Sequence, residues 1–261
     1  MNIRQYYEQA AVISLNASLA AFIPPIFILF YSVVVTKVYQ LLLLIIPFLI
    51  YSFYCYQVFL LNKNRARSIH IESFEDQLFA ANPLQESSLL LHFFPAPTLR
   101  LLFFNPAGIK IGEIRDRSMF IIRWFLPFFL DRYFNRKFIL YDHADKPCAH
   151  FHIYTDRMEI KTQDEVHLTT IYKLQKGKYK EFLLDSQSIQ MIKSGIPADY
   201  SFITADNKLF GQIQRGIMPL EWGQRFVDPN TPILTCSGLN EEKDRLQLLA
   251  MLINIYIYAD H

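Results

Sequence analysis

Glycine is scarce in this chain, with only eight in 261 residues. None falls in a G-x-G-x-x-G or G-x-x-x-x-G-K-S/T arrangement, so no loop of the kind that cradles nucleotide phosphates is present and nucleotide hydrolysis by such a loop is excluded. The G-x-S-x-G turn of serine hydrolases and the H-E-x-x-H zinc pair are missing too. The three cysteines, Cys55, Cys148 and Cys236, are far apart and odd in number, which suits a reducing compartment better than a disulfide framework. A net charge of +2 is too small for bulk electrostatics to hold nucleic acid, so no nucleic-acid partner is expected and any basic function must come from local clusters. No cofactor is expected.

What the chain has in quantity is apolar surface: 52% of residues are hydrophobic, high for a wholly soluble globule. Residues 10–36 and 38–61 carry no charge, and each run is long enough to span a bilayer. Only Lys37 separates them, which predicts a tight helical hairpin, with Pro24, Pro25 and Pro47 kinking or unwinding it locally. Lys63, Arg65 and Arg67 follow the second run, so the positive-inside bias puts both termini in the cytoplasm of a multi-pass cell-membrane protein; Lys37 opposes this weakly. A signal peptide cut near Ala20 is the rival reading, but the apolar run continues straight past that point. The N-A-S sequon at Asn16 means nothing inside a span. The expected domains are a transmembrane hairpin over 1–61, a basic juxtamembrane linker over 62–90 and a cytoplasmic β-barrel domain over 91–261.

Strand signals dominate the last domain. TLRLLFFNPAGIKIGEI, RKFILYDHADKPCAHFHI and DYSFITADNKLFGQIQR each read as two β-rich runs around a polar turn. They share an apolar triplet, then Asn105, Asp142 or Asp206, then an alternation ending near Ile114, Ile153 or Ile213. True repetition and the common look of hairpins both account for the likeness. RMEIKT, VHLTTIYKL, YKEFLLD and TPILTCSG supply further strands. Residues 246–259 form an apolar stretch interrupted only by Gln247 and Asn254, too short at about fourteen residues to cross a bilayer. Such a helix needs cover on every side, and a closed antiparallel barrel of about a dozen strands is wide enough to hold it. Asn240 is placed to cap it, with Glu241 and Glu242 in its first turn. The fold expected is mostly β: a closed antiparallel barrel enclosing an apolar C-terminal helix, preceded by the membrane hairpin.

The residues FNPAGIKIGEI, LYDHADKPCAHFHI, ITADNKLFGQI and EKDRLQLLAMLINIYIYADH resemble the tubby C-terminal-like superfamily, which includes LURP-one-related and phospholipid-scramblase domains. The resemblance covers roughly the last 170 residues and implies a barrel around a buried helix, with lipid binding. This chain departs from it by placing Lys146 and Pro147 where the second turn would carry glycine, and by adding a two-helix anchor at the N-terminal side.

Three local constellations bear on chemistry. His143, Cys148, His150 and His152 lie within ten positions; on a strand His150 and His152 face one way, as two metal ligands or as a solvated pair on the outside of a hairpin. No metal site is assigned. Residues 117–137 interleave Trp124 and phenylalanines with Arg123, Arg132, Arg136 and Lys137 around Pro127, as an interfacial segment meeting lipid phosphates or as two elements of the barrel wall. Lys173, Lys176, Lys178 and Lys180 surround Gly177; extended, the last three share a face for anionic headgroups, and folded they guard a hairpin turn. Trp222, in a proline-bounded loop, anchors a ligand or plugs the barrel. Together these point to a non-enzymatic, membrane-anchored module for anionic lipid headgroups or a partner protein. The alternatives are a scramblase-like or transporter-accessory protein, opposed by the lack of charge in the spans, and a histidine-cysteine metalloenzyme.

Overall fold

The computed structural model describes residues 1–69, 82–96, 98–118, 135–176, 179–184, 187–194, 199–236, 238–239 and 241–257. The chain divides into two compact units, Met1–Ile71 and Glu72–His261.

In the first unit, α1 (Ile3–Ala20) starts at a capping box: the Asn2 side chain accepts from the Gln5 amide at 2.9 Å and the Gln5 side chain accepts from the Asn2 amide at 3.0 Å. The helix breaks at Ala21 and resumes as α2 (Ile23–Phe30), because Pro24 and Pro25 lack amide donors and fit only the first turn of a helix. A π-helical turn (Tyr31–Thr36) leads to Lys37, whose left-handed φ of 54° reverses the chain. A 3-10 segment (Tyr39–Ile45) then feeds α3 (Ile46–Ser68), with Pro47 again in the first turn. The stretches Ile3–Thr36 and Tyr39–Ser68 are each long and apolar enough to cross a membrane. α3 runs on through Lys63, Arg65 and Arg67, so the residues expected to open a linker at 62 are the last turns of the helix. Small side chains line the α1–α3 contact, among them Ala10, Ala11, Ser14, Ser18 and Ser52, so the backbones approach closely. Ser18 Oγ donates to the Ser52 carbonyl and Ser52 Oγ to the Ser18 carbonyl, both at 3.0 Å, which pins the register of the pair.

The second unit is a closed antiparallel barrel of twelve strands. Its first six are β1 (Ser88–Phe93), β2 (Arg100–Phe104), β3 (Lys110–Asp116), β4 (Arg136–Asp142), β5 (Pro147–Ile153) and β6 (Arg157–Thr162). The rest are β7 (His167–Lys176), β8 (Tyr179–Leu183), β9 (Ser188–Ser194), β10 (Asp199–Thr204), β11 (Leu209–Gln214) and β12 (Ile233–Thr235). Neighbours in sequence are neighbours in the sheet, and β12 closes the ring on β1. A short helix, α4 (Leu220–Gly223), lies between β11 and β12. The barrel therefore begins at Ser88, inside the stretch expected to be linker, and not at 91.

Four of the hairpins share one turn. The amides of Asn105, Asp142, Thr162 and Thr204 each donate to the carbonyl four residues on, and the residue at the fourth position donates back. That residue, Gly108, Asp145, Glu165 or Asn207, sits at φ between 58° and 80°, and each hairpin carries a register shift beside the turn. This is the loop in which a left-handed residue forms a β-bulge, and Asn and Asp tolerate that conformation next best to Gly. A common turn thus accounts for the likeness among the hairpins, although in the third the matching residue is Thr204, two positions before Asp206.

Inside the ring lies α5 (Glu242–Tyr256). Every residue from Leu246 to Tyr256 is buried, Gln247 and Asn254 included. The helix packs on β5 and β6, while Leu248 presses against Gly211 of β11. β11 and β5 stand opposite each other in a ring of twelve, so a helix touching both runs through the middle. Inward side chains such as Phe103, Phe138, Phe151, Phe182 and Phe202 surround it in one continuous core. The helix begins at Glu242, with Glu241 as the extended flanking residue; the expected cap, Asn240, and the end of the predicted helix from 258 lie outside the described residues. Glu242 and Asp244 in the first turn complement the helix dipole. Arg245 fastens this end, donating to the carbonyls of Leu239 at 2.9 Å and Glu86 at 2.6 Å.

Candidate functional site

Among the described residues the barrel interior is occupied by its own helix and core side chains, which leaves the outer wall as a candidate surface for a ligand. On β5 the alternation is clean: Ala149, Phe151 and Ile153 point into the core, and His150 and His152 face outward, half-buried. Strand register aligns Arg115, Ile139, His150 and Lys161 in one row across β3 to β6. The next outward row, one pleat away, carries Lys137, His152 and Glu159. Adjacent strands are about 4.8 Å apart and outward residues of one strand about 7 Å apart, so these side chains form a single patch.

The electrostatics of the patch are positive. His152 has its pKa lowered, first by burial and then by Lys161 and Lys137, which oppose a further cation beside them. Glu159, the one carboxylate in these rows, is taken by Arg157, whose Nε lies 3.0 Å from it. Among the described residues neither Lys137 nor Lys161 has a carboxylate partner.

Next to this patch, on β2 and β3, sits a buried carboxylate. Glu113 is fully enclosed and ion-paired with Arg100 at 3.0 Å, Lys110 at 3.4 Å and Arg115. Arg115 also reaches Asp145 at 2.7 Å and covers the ring of Tyr141, 4.6 Å from its centroid. Three cations thus hold two carboxylates. Desolvation lowers the pKa of both Arg100 and Lys110, outweighing in each the attraction of Asp145. Glu113 fixes the Arg115 end of the basic row, and the remaining charge of the wall is positive.

The residues singled out in the sequence are dispersed over this scaffold. Lys137 is exposed on β4 in the patch, whereas its neighbour Arg136 is buried. Arg123, Trp124 and Arg132, with Pro127, lie outside the described residues. Lys176 ends β7 and Lys180 is exposed on β8, where it pairs with Gln175; Gly177 and Lys178 lie outside the described residues. β7 and β8 pair antiparallel, so Lys176 and Lys180 do not lie along one extended strand. Trp222 is half-buried on α4 and does not enter the barrel; the buried aromatic of that loop is Phe226, stacked on His92 at 5.8 Å against the outer face of β1 and β2. His143 is exposed in the turn and Cys148 half-buried, and among the described residues no group of three His, Cys, Asp or Glu side chains is placed to hold a metal.

Arg115 and Lys161 went unnoticed in the sequence. Their strands were visible, but their meeting with His150 depends on register across four strands, which a one-residue slip would undo.

No protein-family model matches the chain, and no curated protein matches it. A solved Arabidopsis thaliana protein aligns with 65% of this chain and 90% of its own length at 11% identity, with a TM-score of 0.40. A likeness that low carries no argument about fold or function.

Proposed function

We propose that this chain is a membrane-anchored, non-enzymatic binding module of the tubby C-terminal-like kind, whose barrel meets anionic lipid headgroups through its basic outer wall. In this reading the hairpin crosses the membrane twice and both ends, with the barrel, are cytoplasmic. The observation that carries it is the aligned patch of Lys137, His150, His152, Lys161 and Arg115 on β3 to β6. A barrel closed around a C-terminal helix supports the family assignment suggested by the hairpin motifs. The filled interior supports a binding role over catalysis, since ligands must be met on a convex wall and not in a dry cavity. Each basic residue near an anionic membrane contributes about 1 kcal/mol, a weak attraction alone. Tethering compensates, because a barrel linked to a span meets the headgroups at high effective concentration.

The test is flotation of residues 72–261, the barrel unit without its anchor, with vesicles of phosphatidylcholine alone or with phosphatidylserine. The expected result is flotation with the anionic vesicles only, lost on raising salt and in a Lys137→Glu, Lys161→Glu variant. Equal behaviour with both vesicles, or flotation unaffected by the charge reversals, contradicts the reading.

A further inference from the structure

A groove of about 440 Å³ runs along one side of α1 and α3 within the helical hairpin. Its lining changes character along its length. At one end stand Arg4, Lys63 and Arg67; at the other are Val12, Leu15 and Phe59. From Arg4 to Leu15 the helix rises about 16 Å, at 1.5 Å per residue. We propose that this groove seats a single phospholipid with an anionic headgroup, its phosphate between Arg4, Lys63 and Arg67 and an acyl chain along Val12, Leu15 and Phe59. The inference rests on the membrane-spanning reading of the hairpin and adds to it a defined site, separate from the barrel wall.

Three features fit this occupant. The order of polarity along the groove is that of a phospholipid, with charge at the helix ends and apolar surface toward the middle of the span. The charge also matches. Glu8 is the one carboxylate in the lining and is bound to Arg4, whose Nε lies 3.0 Å away, so three cations against one carboxylate leave two positive charges. Lys63 and Arg67 are exposed and have no carboxylate partner among the described residues. Finally, the ammonium of Lys63 lies over Phe59, its Nζ 5.1 Å from the ring centroid, joining the charged end to the apolar one. Arg65, on the same turn of α3, instead lies over Tyr7 and takes no part in the groove.

The experiment is native mass spectrometry of the full-length protein in a nonionic detergent, given equal amounts of dioleoyl phosphatidylglycerol and dioleoyl phosphatidylcholine. One phosphatidylglycerol is expected to remain per chain in preference to phosphatidylcholine. The Lys63→Ala, Arg67→Ala variant should weaken it by roughly 30-fold, about fivefold for each juxtamembrane cation removed. Both side chains are exposed, so this variant leaves the α1–α3 contact intact. Val12→Trp, which fills the apolar half and keeps every cation, should also displace the lipid, and Lys37→Ala at the far end of the hairpin should not. Equal retention of the two lipids, no change in the double variant, or retention in Val12→Trp with displacement by inorganic phosphate would each overturn the proposal. So would a dimer that forms in place of the lipid complex. Because the barrel flotation uses a protein without this groove, failure of the barrel-wall reading and failure of the groove are told apart, while the orientation of the hairpin is read from the fusion reporters.

Discussion

Leu248 on the central helix lies so close to Gly211 on β11 that a Cβ built at 211 falls 2.6 Å from its Cδ2 and 2.7 Å from its Cδ1. The absent side chain of one residue makes room for the other, which is how a helix passes this close to the wall. Gly211→Ala should cost about 1–3 kcal/mol through overpacking, and Leu248→Ala about 2–5 kcal/mol through the cavity it leaves. Since the methyl added by the first enters space vacated by the second, the double variant should be clearly more stable than the sum of the two losses. A double-mutant cycle on chemical unfolding measures this, and simple additivity would mean that the two side chains do not meet.

Glu113 is enclosed among cations, with its side chain fully buried and that of Lys110 only 9% exposed. Glu113→Ala strands those charges and should destabilise the barrel by about 3–5 kcal/mol, as removal of one partner of a buried pair does. The measurement is the denaturant midpoint, expected to fall at unchanged slope.

Much of this architecture is written in local patterns. The stretch from Leu246 to Tyr256 is apolar on all faces, and an element of that kind needs a container, which the surrounding strands supply. The paired runs around Asn105 and Asp142 showed their turns because side-chain oxygens there satisfy backbone donors, as Asn105 does for Ile109 at 2.9 Å and Asp142 for Lys146 at 2.8 Å. β1 was not visible because Ser88–Phe93 is a run without alternation: Leu89 and Leu91 face the core while Leu90 and His92 are covered outside, beneath Phe226 in the case of His92. β9 was missed as well, its inward signal resting on Ile189 and Met191 alone. The basic patch was only half visible. Lys137 and the histidines stood out, but Arg115 and Lys161 join them through strand pairing, a property of the closed sheet and not of any one segment.

Lys173 gives the barrel a pH signature. Its ammonium is half-buried, donating to the Tyr154 carbonyl at 2.5 Å, and this burial lowers its pKa to about 8 despite the attraction of Asp156. Below about pH 8 both folded and unfolded chains hold the proton and the native state bears the full cost of burying it. Between about 8 and 10.5 the unfolded chain binds the proton and the native one does not, so stability rises with pH through that window. Lys173→Met should be more stable at pH 7 and should lack this rise. Thermal unfolding of both proteins from pH 7 to 10.5 tests it, and parallel curves would contradict it.

The proposed orientation of the hairpin, with both ends cytoplasmic, rests on Lys63, Arg65 and Arg67 at the end of α3 and Arg4 at the start of α1, both at the end opposite Lys37. Alkaline phosphatase fused after His261 should be inactive and a fluorescent protein fused there should fold. Phosphatase activity would put the barrel outside.

The most direct test of the account is hydrogen exchange of the full-length protein at the central helix. If α5 fills the barrel, amides in 246–256 open only when the barrel does, and should exchange as slowly as those of β5 and β6. Exchange of that segment within seconds, while the strands stay protected, would show a helix that leaves the barrel closed behind it and would contradict the account.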